Sequence, residues 1–147
     1  MNSKLILLIE DNPDDEELTL DALRNGGVQN DITVVRDGAE ALEFLFTPEL
    51  KPAWSDQRLP HLVLLDLKLP KVPGLEVLRR MRAHPTTQYI PTVVLTSSSE
   101  QTDIQQSYAM GANSYVRKPV EFGEFVQAVQ ALGTYWVLFN QSPAEHQ

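Results

Sequence analysis

A chain of 147 residues, 42% of them hydrophobic and 22% charged, has the length of one domain and an ordinary globular composition, which excludes a disordered or repetitive protein. Its 12 basic and 20 acidic residues give a net charge of −8, so neither nucleic acid nor an anionic membrane is an expected partner. With no cysteine there is no disulfide, thiolate metal site or thiol nucleophile, and the apolar run before Glu10 is too short for a signal peptide or a membrane span, so a cytoplasmic protein is expected.

Lys4 is followed by an unbroken apolar run, Leu5 to Ile9, the pattern of a strand covered on both faces, and the run stops on Glu10 and Asp11. Asn12 is a suitable N-cap and Pro13 suits the first helical position. Asp14, Asp15, Glu16 and Glu17 favour the positive end of a helix dipole, and capping is the role assigned to them. The helix is expected to run to about Asn25 and close on Gly26 and Gly27. Ile32 to Val35 is a short β-branched strand, and Asp37-Gly38 opens a helix that reaches Phe46. A long proline-containing loop is expected over 47–60.

The run His61 to Pro70 is the centre of the chain. Its aliphatics, Leu62 to Leu65, again predict a strand buried on both faces, with Asp66 as its last residue. A helix from Leu75 to about Ala83 follows, and Arg79, Arg80 and Arg82 read as its solvated face. Ile90 to Leu95 is the fourth strand, and Thr96-Ser97-Ser98-Ser99 leaves its end as a hydroxyl-rich loop in which at least one residue serves as a helix cap. Gln101 to Met110 is the fourth helix, stopped by Gly111. Ala112 to Val116 is the last strand, followed by Arg117-Lys118-Pro119 and a long helix from about Glu121 to Phe139. His61, His84 and His146 lack metal-ligand spacing and are read as surface residues.

Five strands alternating with five helices predict one doubly wound α/β domain over 1–147, with its core at about 3–135 and a short tail over 140–147. Periodicity leaves the strand order open, though the short second strand suits an edge. In such sheets ligands gather beyond the carboxyl ends of the strands, where Glu10, Asp11, Asp66 and Thr96 are all expected. An Asp at a strand exit also starts turns, so Asp66 alone carries little. An aspartyl phosphatase would want a second Asp two residues on, where this chain has Lys68. A flavodoxin-like cofactor module would want hydroxyls and free amides after the first strand, where this chain has acids.

Glu10-Asp11 after the first strand, Asp66 after the third, Thr96 after the fourth and Lys118-Pro119 after the fifth together resemble the receiver domain of two-component response regulators. The resemblance implies the strand order 2-1-3-4-5. It implies Mg²⁺ held by Glu10, Asp11, Asp66 and the Lys68 main-chain carbonyl, and Asp66 as the nucleophile that takes a phosphoryl group from a phosphohistidine on a sensor kinase. Thr96 and Lys118 would contact phosphoryl oxygens, a cis bond before Pro119 would aim the lysine, Thr96 and Tyr115 would form the switch, and Lys68 and Ser98 would tune hydrolysis. Phosphotransfer would be self-catalysed, so no enzyme in the usual sense is expected. The long loop over 47–60 and the Tyr135 to Asn140 ending look like the small stand-alone receivers that partner phytochrome-type kinases. A pseudo-receiver that binds partners without phosphorylation is the rival reading.

The last helix carries one apolar stripe too many. Phe122, Phe125, Val126, Val129, Leu132 and Trp136 fall on one side, and Ala128, Ala131, Tyr135, Leu138 and Phe139 on another. One core cannot cover both, so a homodimer through this helix is expected, the alternative being a tail that folds back so that its last turn caps the domain edge.

Overall fold

The computed structural model describes residues 5–46, 59–97, 100–118 and 122–136. The parallel strands β1 (Ile6–Ile9), β2 (Ile32–Val35), β3 (Leu62–Leu65), β4 (Thr92–Thr96) and β5 (Ser114–Arg117) form one sheet in the order β2-β1-β3-β4-β5. The helices are α1 (Pro13–Asn25), α2 (Gly38–Phe46), α3 (Gly74–Ala83), α4 (Gln101–Ala109) and α5 (Phe122–Thr134). This is the doubly wound order that was expected, with β2 at an edge.

The unbroken aliphatic runs become central strands because they have two faces to fill. Leu7, Ile9, Val63, Leu65 and Val94 meet Ala41, Phe44 and Leu45 of α2 and Val77, Leu78 and Met81 of α3. The alternate residues Ile6, Leu8, Leu62, Leu64, Val93 and Leu95 meet Ala22 and Leu23 of α1 and Val129 of α5. That alternation is the two-residue period of a strand, and it leaves β1 and β3 buried at every position. Register is uniform across β1, with Ile9 paired to Val35 on one side and to Leu65 on the other, so three strands end level.

Three of the boundaries that differ from the sequence reading do so for a clear local reason. β4 begins at Thr92 rather than Ile90, because Pro91 has no N–H and the Ile90 N–H is spent on the Thr87 carbonyl at 3.2 Å. β5 begins at Ser114 rather than Ala112, because Gly111 sits at φ +105° and Ala112 still closes the α4 turn by donating to the Ser107 carbonyl at 2.9 Å. Asp66 lies one residue beyond β3 instead of ending it, with its N–H donated to the Ile9 carbonyl at 3.0 Å.

The arginine reading is also corrected. Arg79 and Arg80 do stay on the surface, where both clamp Glu76, at 2.6 and 2.8 Å. Arg82 instead turns inward and donates to the Gly111 carbonyl at 2.9 Å and to Asn113 Oδ1 at 3.1 Å, tying α3 to the turn before β5. His84 is exposed as expected, its ring 5.0 Å from that of Phe46, whereas His61 is half-buried. The expected loop at 47–58, Ser98, Pro119, His146 and the helix beyond Trp136 lie outside the described residues.

Candidate functional site

Each strand exit on the right-hand four strands of the sheet, β1, β3, β4 and β5, delivers one polar side chain to the same carboxyl edge. Glu10 follows β1 and is fixed by donating its N–H to the Val35 carbonyl at 3.0 Å; Asp66 follows β3; Thr96 ends β4; Lys118 follows β5 and donates its N–H to the Thr96 carbonyl at 2.7 Å. Glu10, Asp66, Thr96 and Lys118 are all buried, and Asp11 is exposed beside them. Carboxylate oxygens of Glu10, Asp11 and Asp66 lie within 4.8 Å of one another. The side chains that the sequence singled out are therefore brought together by topology alone.

The β3–α3 loop is shaped to leave room for Asp66. Gly74 packs on the Asp66 and Leu67 backbone so closely that a Cβ there would collide with the Asp66 carbonyl, and its N–H donates to the Leu67 carbonyl at 2.9 Å. Lys68 is exposed, and its N–H donates to Asp66 Oδ1 at 3.3 Å, which keeps its peptide beside the carboxylate. Lys71 is held at φ 70° with its ammonium 3.6 Å from Asp37.

The electrostatics are those of too many acids in a dry place. Burial first, and to a smaller extent the nearby Asp66, push the Glu10 carboxyl up from the ordinary 4.5 to about 7 against the pull of Lys118. Burial also opposes the charge on Lys118, but its hydrogen bond to Glu10 and the field of Asp66 outweigh that and hold the ammonium above the usual lysine value. Lys118 pairs with Glu10, with Asp15 at 3.0 Å and with Asp66 at 3.5 Å. Asp15 was read as a helix-capping acid only, and that reading missed its contact with the ammonium. A cluster of hard oxygen donors with a deficit of positive charge suits a divalent cation of the Mg²⁺, Mn²⁺ or Ca²⁺ type.

Tyr115 is half-buried in β5 and packs on the α2 and α3 side of the sheet. Thr96 pairs with Arg117, and Val94 pairs with Tyr115, so Thr96 and Tyr115 lie diagonally on one face.

The family model of the response regulator receiver domain matches residues 6–130. The chain belongs to the response regulator receiver family. The receiver is 38% identical over 139 residues to the probable methanogenesis regulatory protein FilR2 of Methanothrix harundinacea, covering 95% of this chain and 87% of that one. It is 34% identical over 141 residues to the response regulator Rcp1 of Synechocystis, covering 96% and 94%. The crystal structure of the Mn(2+)-bound form of Rcp1 superposes with a TM-score of 0.83, at 33% identity over 95% of this chain and 99% of that one. That of the phosphorylated cyanobacterial phytochrome response regulator RcpA superposes with a TM-score of 0.85, at 36% identity over 97% and 99%. The receiver is thus a phosphorylation-based signalling domain whose Glu10, Asp11 and Asp66 carboxylates are close enough together to hold a metal ion, and among its described residues no helix is long and apolar enough to cross a membrane.

Proposed function

We propose that Asp66 is the phosphoacceptor and that the donor is a phosphohistidine on a sensor histidine kinase of the phytochrome type, in the cytoplasm. The observation that carries this reading is the convergence of Glu10, Asp11, Asp66, Thr96 and Lys118 on one edge of the sheet. An Asp66 carboxylate oxygen attacks phosphorus, the P–N bond breaks, and the imidazole leaves with the electron pair. The Thr96 hydroxyl donates to one phosphoryl oxygen and the Lys118 ammonium to another. Glu10, Asp11, Asp66 and the Lys68 carbonyl would hold Mg²⁺, which when bound would supply positive charge to offset the repulsion between an anionic phosphoryl group and an anionic acceptor. Water later cleaves the acyl phosphate, so the chain catalyses its own modification and turns over no external substrate. Pro119 orients Lys118, and Thr96 with Tyr115 transmits the change.

The kinase reading draws on the phytochrome association named for RcpA.

The homodimer is proposed through α5. Val129 is buried and Val126, Leu132 and Trp136 pack on the core, so these four residues of the first stripe are spent inside the domain. Ala131 is exposed, and Tyr135 is 51% exposed with its ring edge-on to Trp136, which leaves these two residues of the second stripe for a partner copy. Sedimentation of wild type beside Tyr135→Glu tests this: a wild-type dimer at tens of micromolar that the substitution weakens is expected, and a monomer throughout contradicts it.

The phosphoacceptor is tested with acetyl phosphate. Wild type is expected to take up one phosphoryl group only when Mg²⁺ is present, and Asp66→Asn to take up none while keeping its circular dichroism. Equal labelling of the variant contradicts the assignment.

A further inference from the structure

Lys118 has three N–H donors, and three carboxylates surround them. Two of these, Glu10 and Asp66, belong with Asp11 to the oxygen cluster. Asp15 is not part of that cluster and comes from the first turn of α1. Its position is set by the helix cap: the Asp15 N–H donates to Asn12 Oδ1 at 3.0 Å, which fixes the rotation of the turn and brings the Asp15 carboxylate to the ammonium, while Asp14 on the same turn is exposed.

The three acids differ in how readily they can release the lysine. The Glu10 side chain is 2% exposed, like that of Lys118, so separating that pair would leave a buried charge uncompensated. The Asp15 side chain is 30% exposed and can turn to water at far lower cost. An incoming phosphoryl group on Asp66 needs a donor from Lys118, and Asp15 is the partner that can yield one.

We propose that Asp15 is a positioning residue that shares the Lys118 ammonium in the unphosphorylated receiver and gives it up to the phosphoryl group on Asp66, so that Asp15 sets how readily the phosphorylated state is reached. This rests on Asp66 being the acceptor. Replacing the Asp15 carboxylate with a neutral amide removes its charge from the Lys118 ammonium and leaves a weaker acceptor, so the ammonium is released to the phosphoryl group at lower cost.

The test is calorimetric titration of beryllofluoride, a phosphoryl mimic, into Mg²⁺-loaded full-length protein. Asp15→Asn is expected to bind beryllofluoride roughly three- to fivefold more tightly than wild type, the upper range of one partly exposed charged contact. Asp14→Asn carries the same charge change without the contact and is expected to match wild type within about twofold on the same scale. Asp15→Glu retains the carboxylate and is expected to return towards wild type. An unchanged or weaker affinity in Asp15→Asn overturns the proposal, as does an equal gain in Asp14→Asn. A large loss of affinity for Mg²⁺ alone in Asp15→Asn would make Asp15 a metal ligand instead and also overturns it. Failure of wild type itself to bind beryllofluoride removes the acceptor reading and this proposal together, which separates the two failures.

Discussion

α3 and α4 are of similar length and follow neighbouring strands, yet they are held differently. α3 buries Gly74, Val77, Leu78 and Met81, and Arg82 at its end reaches across to the Gly111 carbonyl. α4 buries only Ser107, whose hydroxyl is turned back on the Asp103 carbonyl at 2.8 Å, and none of its residues joins either apolar cluster among the described residues. The same contrast runs through the sheet, where β1 and β3 are buried throughout and β5 is only half-buried. Elements with few buried apolar contacts are the ones that open or shift at low cost, so α4 and β5 are expected to move more readily than α3, β1 and β3.

The contrast breaks most sharply under core truncation. Leu64→Ala is expected to cost about 2–5 kcal/mol, as for other fully buried leucines, whereas Ile104→Ala in α4 is expected to cost no more than about 1 kcal/mol. Urea denaturation of both variants checks this, and equal losses would mean that α4 is anchored as firmly as β3. Gly74→Ala comes next. Its Cβ has no space against the Asp66 backbone, so a loss of about 1–3 kcal/mol is expected, together with slower phosphorylation; unchanged stability by the same titration would show that the β3–α3 loop is free to give.

The legibility of the fold follows the same division. Leu5 to Ile9 and Leu62 to Leu65 announce their strands because both faces are apolar. β4 and β5 slid by two residues because apolar character at Ile90 and Ala112 reports burial, not hydrogen-bonding, and only the spent N–H groups show where pairing starts. The site was legible as acids and hydroxyls at strand ends, and Glu10, Asp11, Asp66, Thr96 and Lys118 do converge. Asp15 and Arg82 were not legible as partners of Lys118 and Gly111. Each sits in a helix where its charge already has a local explanation, and its true partner lies far along the chain.

A smaller effect probes the rigid half through its charge. Glu10 titrates near 7 when folded and near 4.5 when unfolded, so between those values the folded metal-free protein holds the extra proton and loses stability as pH rises. A divalent cation held by ionised Glu10 would offset that loss. The rise in melting temperature on adding Mg²⁺ is therefore expected to grow as pH is raised through about 7, and a shift independent of pH would take Glu10 out of the metal site. The smallest expected effect is on transmission. Thr96→Ala should still accept phosphate but move the Tyr115 ring resonances less than wild type does on beryllofluoride addition, as read by NMR; equal shifts would uncouple the pair.

The most direct test of the acceptor is chemical trapping. Wild-type protein is incubated with acetyl phosphate and Mg²⁺, reduced with borohydride so that an aspartyl phosphate becomes homoserine, and mapped by peptide mass spectrometry. Homoserine at position 66 and at no other aspartate is the expected result. Homoserine at Asp11 or elsewhere with residue 66 unmodified would contradict it.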